Sequence, residues 1–146
     1  MLAAMDAQTD VISPVMQAHP HFVIARRLWD ALALGDAAAL RELLSEKSTW
    51  KMCGDSTLAG SYVGSGAILD FLARVGELTD DLQSDLLDIF VGDSGGVIRY
   101  RLRAERGPQR LDTEHLFRFH VAEGRIVEAV FAPIDPYAYD HFFVLQ

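Results

Sequence analysis

The stretch 109–132, QRLDTEHLFRFHVAEGRIVEAVFA, decides how the rest of the chain must be arranged. It reads as two strands folded back at Ala122-Glu123-Gly124. Strand side chains alternate between faces, so Leu111, Thr113, His115, Phe117 and Phe119 share one side and Asp112, Glu114, Leu116, Arg118 and His120 the other. The first side is apolar apart from a threonine and a single central histidine. In the returning strand Val127, Ala129 and Phe131 alternate with Ile126, Glu128 and Val130. A hairpin with one greasy face needs cover, and the remainder of the chain is read as the source of it.

Working back from the hairpin, Leu82 to Val91 and Val97 to Arg106 read as two more strands, separated by Gly92-Asp93-Ser94-Gly95-Gly96. In the second of these Ile98, Tyr100, Leu102 and Ala104 share a face, and Arg99, Arg101 and Arg103 share the opposite one, beside Asp112, Glu114 and Glu128. Further back the period changes. Phe22 to Leu34 has helical spacing and is closed by Gly35; Asp36 caps a second helix carrying Leu40, Leu43 and Leu44. Ser48 to Cys53 reads as a short strand, 54–64 as a Gly- and Ser-rich loop, and a third helix opens at Ser65 or Gly66 with Ile68, Leu69, Leu72 and Val75 inward. Residues 1–20, broken by Pro14 and Pro20, read as an extension and 21–146 as the domain. The expected fold is α+β: three helices packed on a curved antiparallel sheet in the order α-α-β-α-β-β-β-β, leaving a cone-shaped cavity.

Composition narrows the function. A 146-residue chain is expected to be one domain. Its net charge of −8 and pI near 4.9 argue against nucleic acid and anionic membranes, which call for a basic footprint. One cysteine, Cys53, permits no internal disulfide and fits a reducing, cytoplasmic setting. The N-terminal residues lack a basic region and gain Asp6 and Asp10 early, unlike a signal peptide. No apolar run approaches the roughly 20 residues that span a bilayer.

The layout resembles the nuclear-transport-factor-2-like superfamily and, within it, the SnoaL-like proteins, whose fold is of the cystatin or ketosteroid-isomerase type. The resemblance rests on LALGDAAALRELL, on TWKMCGDSTLAGSYVGSGAILDFL and on EHLFRFHVAEGRIVEAVFAPIDPYAYDHFF, and it covers about residues 22–143. It implies a small-molecule pocket and, in many relatives, cofactor-free isomerase, cyclase or dehydratase chemistry. Steroid isomerases of this fold use a helix tyrosine, a strand aspartate as base and a strand acid as oxyanion donor. The matching positions here are Leu28, Met52 and His115, so that mechanism does not transfer. Epoxide hydrolases of the superfamily need an Asp-Arg-Asp set inside the cavity, whereas Arg99, Arg101 and Arg103 read as outward. SnoaL-like cyclases pair an acid with a histidine; His115 could serve, with Asp135 as the candidate acid and Asp88 as a lesser one. The resemblance also suggests a homodimer through the convex sheet face, with Leu116 and Val130 among the charges.

His115 is therefore the candidate catalytic residue, since an imidazole titrates near neutrality and burial would keep it neutral and able to donate to a carbonyl. The bland alternative is a core histidine bonded to Tyr100 or to backbone. Trp50, Met52, Tyr100, Thr113, Phe117, Ala129 and Phe131 are the candidate ligand-binding wall, against the alternative of plain core. The aromatic tail from Asp135 to Phe143 reads as a lid or, more simply, a plug, with Asp135 as its cap. Gly64-Ser65-Gly66 reads as following a loop and has no lysine after it, unlike a phosphate loop, and His19-Pro20-His21 makes a poor metal site. No cofactor motif or metal set is expected. Two readings stand: an enzyme acting on an apolar carbonyl compound by His-mediated proton transfer, and a non-catalytic ligand-binding or dimerisation module.

Overall fold

The computed structural model describes residues 3–5 and 13–144; much of the expected extension at 1–20 lies outside them. The elements in order are β1 (Ala3–Met5), α1 (Pro14–Gln17), α2 (Pro20–Leu34), α3 (Ala37–Leu43), β2 (Leu44–Met52), β3 (Gly60–Val63), α4 (Gly64–Glu77), β4 (Asp80–Val91), β5 (Gly95–Arg106), β6 (Gln109–Ala122), β7 (Arg125–Pro133) and α5 (Pro136–Phe142). The strands form one sheet in the order β1-β4-β5-β6-β7-β2-β3. This is the expected α+β fold of cystatin and nuclear-transport-factor-2-like type, with helices on the concave side of a bent sheet.

The local signals act as the residues imply. Gly35 closes α2 in the left-handed region at φ 65°, which glycine enters without a Cβ clash. The Asp36 carboxylate caps α3 by accepting from the Ala39 N–H at 3.0 Å. The hairpin turns on Glu123 and Gly124 alone, both at positive φ (54° and 76°), the conformation that suits the twist of a two-residue turn.

The structure departs from the expectation in five places. The run Gly54–Gly64 is not all loop: Gly60–Val63 pairs antiparallel with Thr49–Met52 as an edge strand, a long-range pairing that local composition does not report. Leu44 belongs to β2 instead of the preceding helix. The sheet is not purely antiparallel, since β2 runs parallel to β7 and β1 parallel to β4. In β7, Ile126 is fully buried and Val127 half-buried, the reverse of simple alternation. A register shift after His120 pairs Val121 with Ile126, and one extra residue flips the faces on either side of it. Nor does Ser65 cap α4: the cap position is Val63, with no side-chain bond, and the Ser65 hydroxyl instead accepts from Arg41.

The pairing sets side chains in rows across the sheet. Ile98, Phe117, Phe131 and Met52 are opposite one another on β5, β6, β7 and β2. Tyr100 stands opposite His115 in the next row. Trp29, Leu32, Ile68, Phe71 and Leu72 of α2 and α4 are buried and belong to the same core. On the other face Arg99 binds Glu114 at 2.6 Å, Arg103 binds Asp85 at 2.7 Å, and Arg101 grips both oxygens of Asp112. The Arg101 guanidinium holds the Asp112 carboxyl below its usual range. These arginines are thus outside the cone, as the alternation requires.

The tail closes the cone as a plug. Tyr139, Phe142 and Phe143 are buried, and the backbone past α5 is pinned from two sides. Thr57 donates to the Phe143 carbonyl from its hydroxyl at 2.7 Å, and Arg106 donates to the carbonyls of Phe142 and Val144, each at 2.9 Å.

Candidate functional site

Two small hollows lie between the concave sheet face and the helices. The larger, about 40 Å³, is lined by Met52, Phe71, Leu72, Val75, Tyr100, Leu102, His115, Phe131 and Tyr139. The smaller, about 20 Å³, shares Leu72, Tyr100 and Phe131 with it and adds Leu28, Trp29, Leu32, Ile98 and Phe117. A water needs roughly 10–15 Å³ of such space, so each hollow has room for one to a few waters.

His115 enters the larger hollow from mid-β6 because strand alternation aims it there beside Thr113 and Phe117. The ring is only 1% exposed. It stacks on Tyr100 at 5.4 Å between centroids and meets the edge of Tyr139 at 5.2 Å. Neither ring nitrogen has a hydrogen-bond partner among the described residues. Burial lowers its pKa to about 4, so the imidazole is neutral at physiological pH. Burial likewise raises the Tyr100 and Tyr139 phenols, which stay protonated as donors. Among the described residues, none lining either hollow carries a charge at neutral pH. The result is an uncharged polar group of one imidazole and two phenols in an apolar setting. It can donate to, or accept from, a neutral ligand, and it offers no cation to match a carboxylate.

The expected residues divide into three groups. Met52, Tyr100, Phe117 and Phe131 line one or both hollows with His115. Trp50, Thr113 and Ala129 are buried but line neither, and Trp50 instead packs edge-on against Phe117 and Phe131. Asp135 is not brought to His115. It is exposed, and its carboxylate accepts from the Ala138 N–H at 3.1 Å as the cap of α5. That corrects its assignment as catalytic partner: the residue sits one step beyond β7, where the chain must turn into a helix. Asp88 lines neither hollow and accepts from the Ile89 N–H. Replacing Asp135 with alanine is expected to lower stability by about 1 kcal/mol, the worth of an N-cap, and to leave ligand affinity unchanged. Urea unfolding and calorimetric titration check both halves, and a loss of affinity alone would restore Asp135 to the site.

Trp29, Phe71 and Tyr139 are pocket residues that sequence reasoning did not place. Helical spacing marks Trp29 as inward, but only packing shows which strand it meets. The His21 backbone N–H donates to His19 Nδ1 and the His21 ring bonds to the Gly92 carbonyl, and the described residues hold no cluster of three or more metal-ligating side chains.

The model of the SnoaL-like domain matches residues 25–129, most of the domain including His115. The chain belongs to the SnoaL-like family. Among solved structures, this SnoaL-like protein is similar to Bal32a, from a soil-derived mobile gene cassette, at 32% identity over 87% of this chain and 98% of that one, with a TM-score of 0.81. It also shares the fold of a cystatin-like protein of unknown function from Xanthomonas campestris, at 19% identity over 86% and 98% of the two chains and a TM-score of 0.74. A candidate SnoaL-like polyketide cyclase from Jannaschia sp. CCS1 follows at 17% identity, 92% and 97% coverage and a TM-score of 0.72. No curated protein matches significantly. No helix among the described residues is long and apolar enough to cross a membrane.

Proposed function

We propose that this SnoaL-like protein holds a neutral, apolar carbonyl compound in the joined hollows with the carbonyl oxygen on His115. One observation carries the reading: a fully buried imidazole, with neither nitrogen partnered among the described residues, lines a hollow together with two phenols. A buried polar group left unpaired costs roughly 1–3 kcal/mol, and a ligand oxygen accepting the N–H offsets that cost. Because the ring is neutral it has one donor and one acceptor nitrogen. It can polarise a carbonyl through the first or receive a proton through the second, and an isomerase, cyclase or dehydratase of this kind requires both roles, the other falling to Tyr100 or Tyr139. A non-catalytic binding role is favoured by a separate fact. Among the described residues no carboxylate lines either hollow, and the imidazole there, with a pKa of about 4, is a weak base.

The test uses trans-2-decalone, a rigid bicyclic ketone, labelled with ¹³C at the carbonyl. On the wild-type protein its C=O stretch is expected at lower frequency than in an alkane solvent, and in His115→Phe that shift is expected to vanish. A bound ketone whose stretch is alike in both proteins overturns the assignment of His115. The same sample in D₂O separates the two roles: exchange of the hydrogens next to the carbonyl, abolished in His115→Phe, identifies proton transfer, and tight binding without exchange identifies a binding module.

A further inference from the structure

We propose that Trp29 is a second polar anchor of this pocket, its indole N–H receiving a second acceptor at the end away from His115, so that the ligand class is a neutral apolar molecule with two hydrogen-bond acceptors at opposite ends. The inference rests on the pocket reading above and deepens it. Trp29 is 2% exposed, and its Nε1 has no partner among the described residues. Of the neighbours it shares the smaller hollow with, only Tyr100 carries a side-chain oxygen, and that hydroxyl does not pair with the indole N–H.

Trp29 and His115 line different hollows, and the two hollows share Tyr100. The Tyr100 ring lies 5.5 Å from Trp29 and 5.4 Å from His115, and it lines both hollows. Along β5, Ile98 lines the smaller hollow, Tyr100 both, and Leu102 the larger; along β6, Phe117 lines the smaller and His115 the larger. Each such step of two strand residues is about 7 Å. The pocket axis therefore runs along the strands, past Tyr100, with an imidazole toward one end and an indole toward the other. An indole is a donor only and never charges, so its partner is an oxygen acceptor such as a carbonyl. Trp50 supplies an internal control, because its Nε1 is equally unpartnered and buried but the residue lines neither hollow.

The full chain contains two tryptophans, so ¹⁵N-tryptophan labelling gives two indole resonances, assigned with Trp29→Phe and Trp50→Phe. It is titrated with trans-decalin, trans-2-decalone and trans-decalin-2,6-dione, which carry no, one and two carbonyls on one skeleton. The dione is expected to bind about five- to tenfold tighter than the monoketone, the worth of one more hydrogen bond. It is also expected to move the Trp29 indole proton downfield and leave that of Trp50 in place. In Trp29→Phe the five- to tenfold preference for the dione over the monoketone, both measured on that variant, is expected to collapse to about one. Equal affinities of dione and monoketone for the wild-type protein, or a stationary Trp29 resonance under a bound dione, overturn the second anchor alone. Failure of both ketones to bind overturns the pocket reading and this inference with it. The wild-type comparison needs no variant to fold.

Discussion

Trp50→Ala is expected to destabilise the protein by about 4 kcal/mol, within the roughly 3–5 kcal/mol found for truncating buried aromatics. Trp50 is fully buried and sits on the row next to Met52, opposite Ala129. Its indole meets Phe117 at 5.2 Å and 70° and Phe131 at 5.4 Å and 66°, two edge-on pairs that each add on the order of 1 kcal/mol beyond burial. Removing the ring leaves Phe117 and Phe131 without one wall, and sheet backbone cannot collapse far to fill it. For a domain of this size the melting temperature should fall by roughly 10–15 °C. Chemical and thermal unfolding measure it. A cost under about 1 kcal/mol would mean that β2 does not present Trp50 to the core, and the row Met52–Phe131–Phe117–Ile98 would have to be re-registered.

Acid is expected to weaken the folded state through His115 in a window that a single substitution removes. In the unfolded chain the imidazole takes a proton near pH 6.5; in the folded chain burial lowers that to about 4. At pH 7 both states are neutral and the group contributes nothing to pH dependence. Between pH 6.5 and 4 the unfolded state alone binds the proton, so stability falls as pH falls, and below about pH 4 the loss is complete at about 3 kcal/mol. His115→Phe keeps a ring against Tyr100 and cannot titrate. Urea unfolding at pH 7 and pH 4.5 is therefore expected to give a markedly smaller loss in His115→Phe than in the wild type. The carboxylates of the convex face act alike in both proteins, so the difference isolates the histidine. Equal losses would place the ring in contact with water and remove the basis for a neutral donor in the pocket.

What could be read without coordinates was what neighbouring residues encode between themselves. Period-two alternation in LDTEHLFRF puts His115 and Phe117 on one face, and the same rule in Val97–Arg106 puts Tyr100 with them and sends three arginines the other way. The Gly35 and Asp36 caps and the Glu123-Gly124 turn are likewise local, because a cap or turn is satisfied within a few residues of itself. From these the fold class followed.

Tertiary structure alone decided which of those faces meet. The strand at Gly60–Val63 exists because β2 offers it an edge, and β2, which α3 leads into and α4 packs upon, lies parallel to β7. The face change at Ile126 comes from a pairing shift that no run of residues announces. Trp29 joins the pocket by helix packing, Tyr139 by the plug that Thr57 and Arg106 pin, and Asp135 leaves it to cap α5. Alternation and caps are fixed by bonds between residues close in the chain, whereas a site of neutral donors is assembled by burying apolar surface from segments far apart, and that surface is indifferent to sequence order.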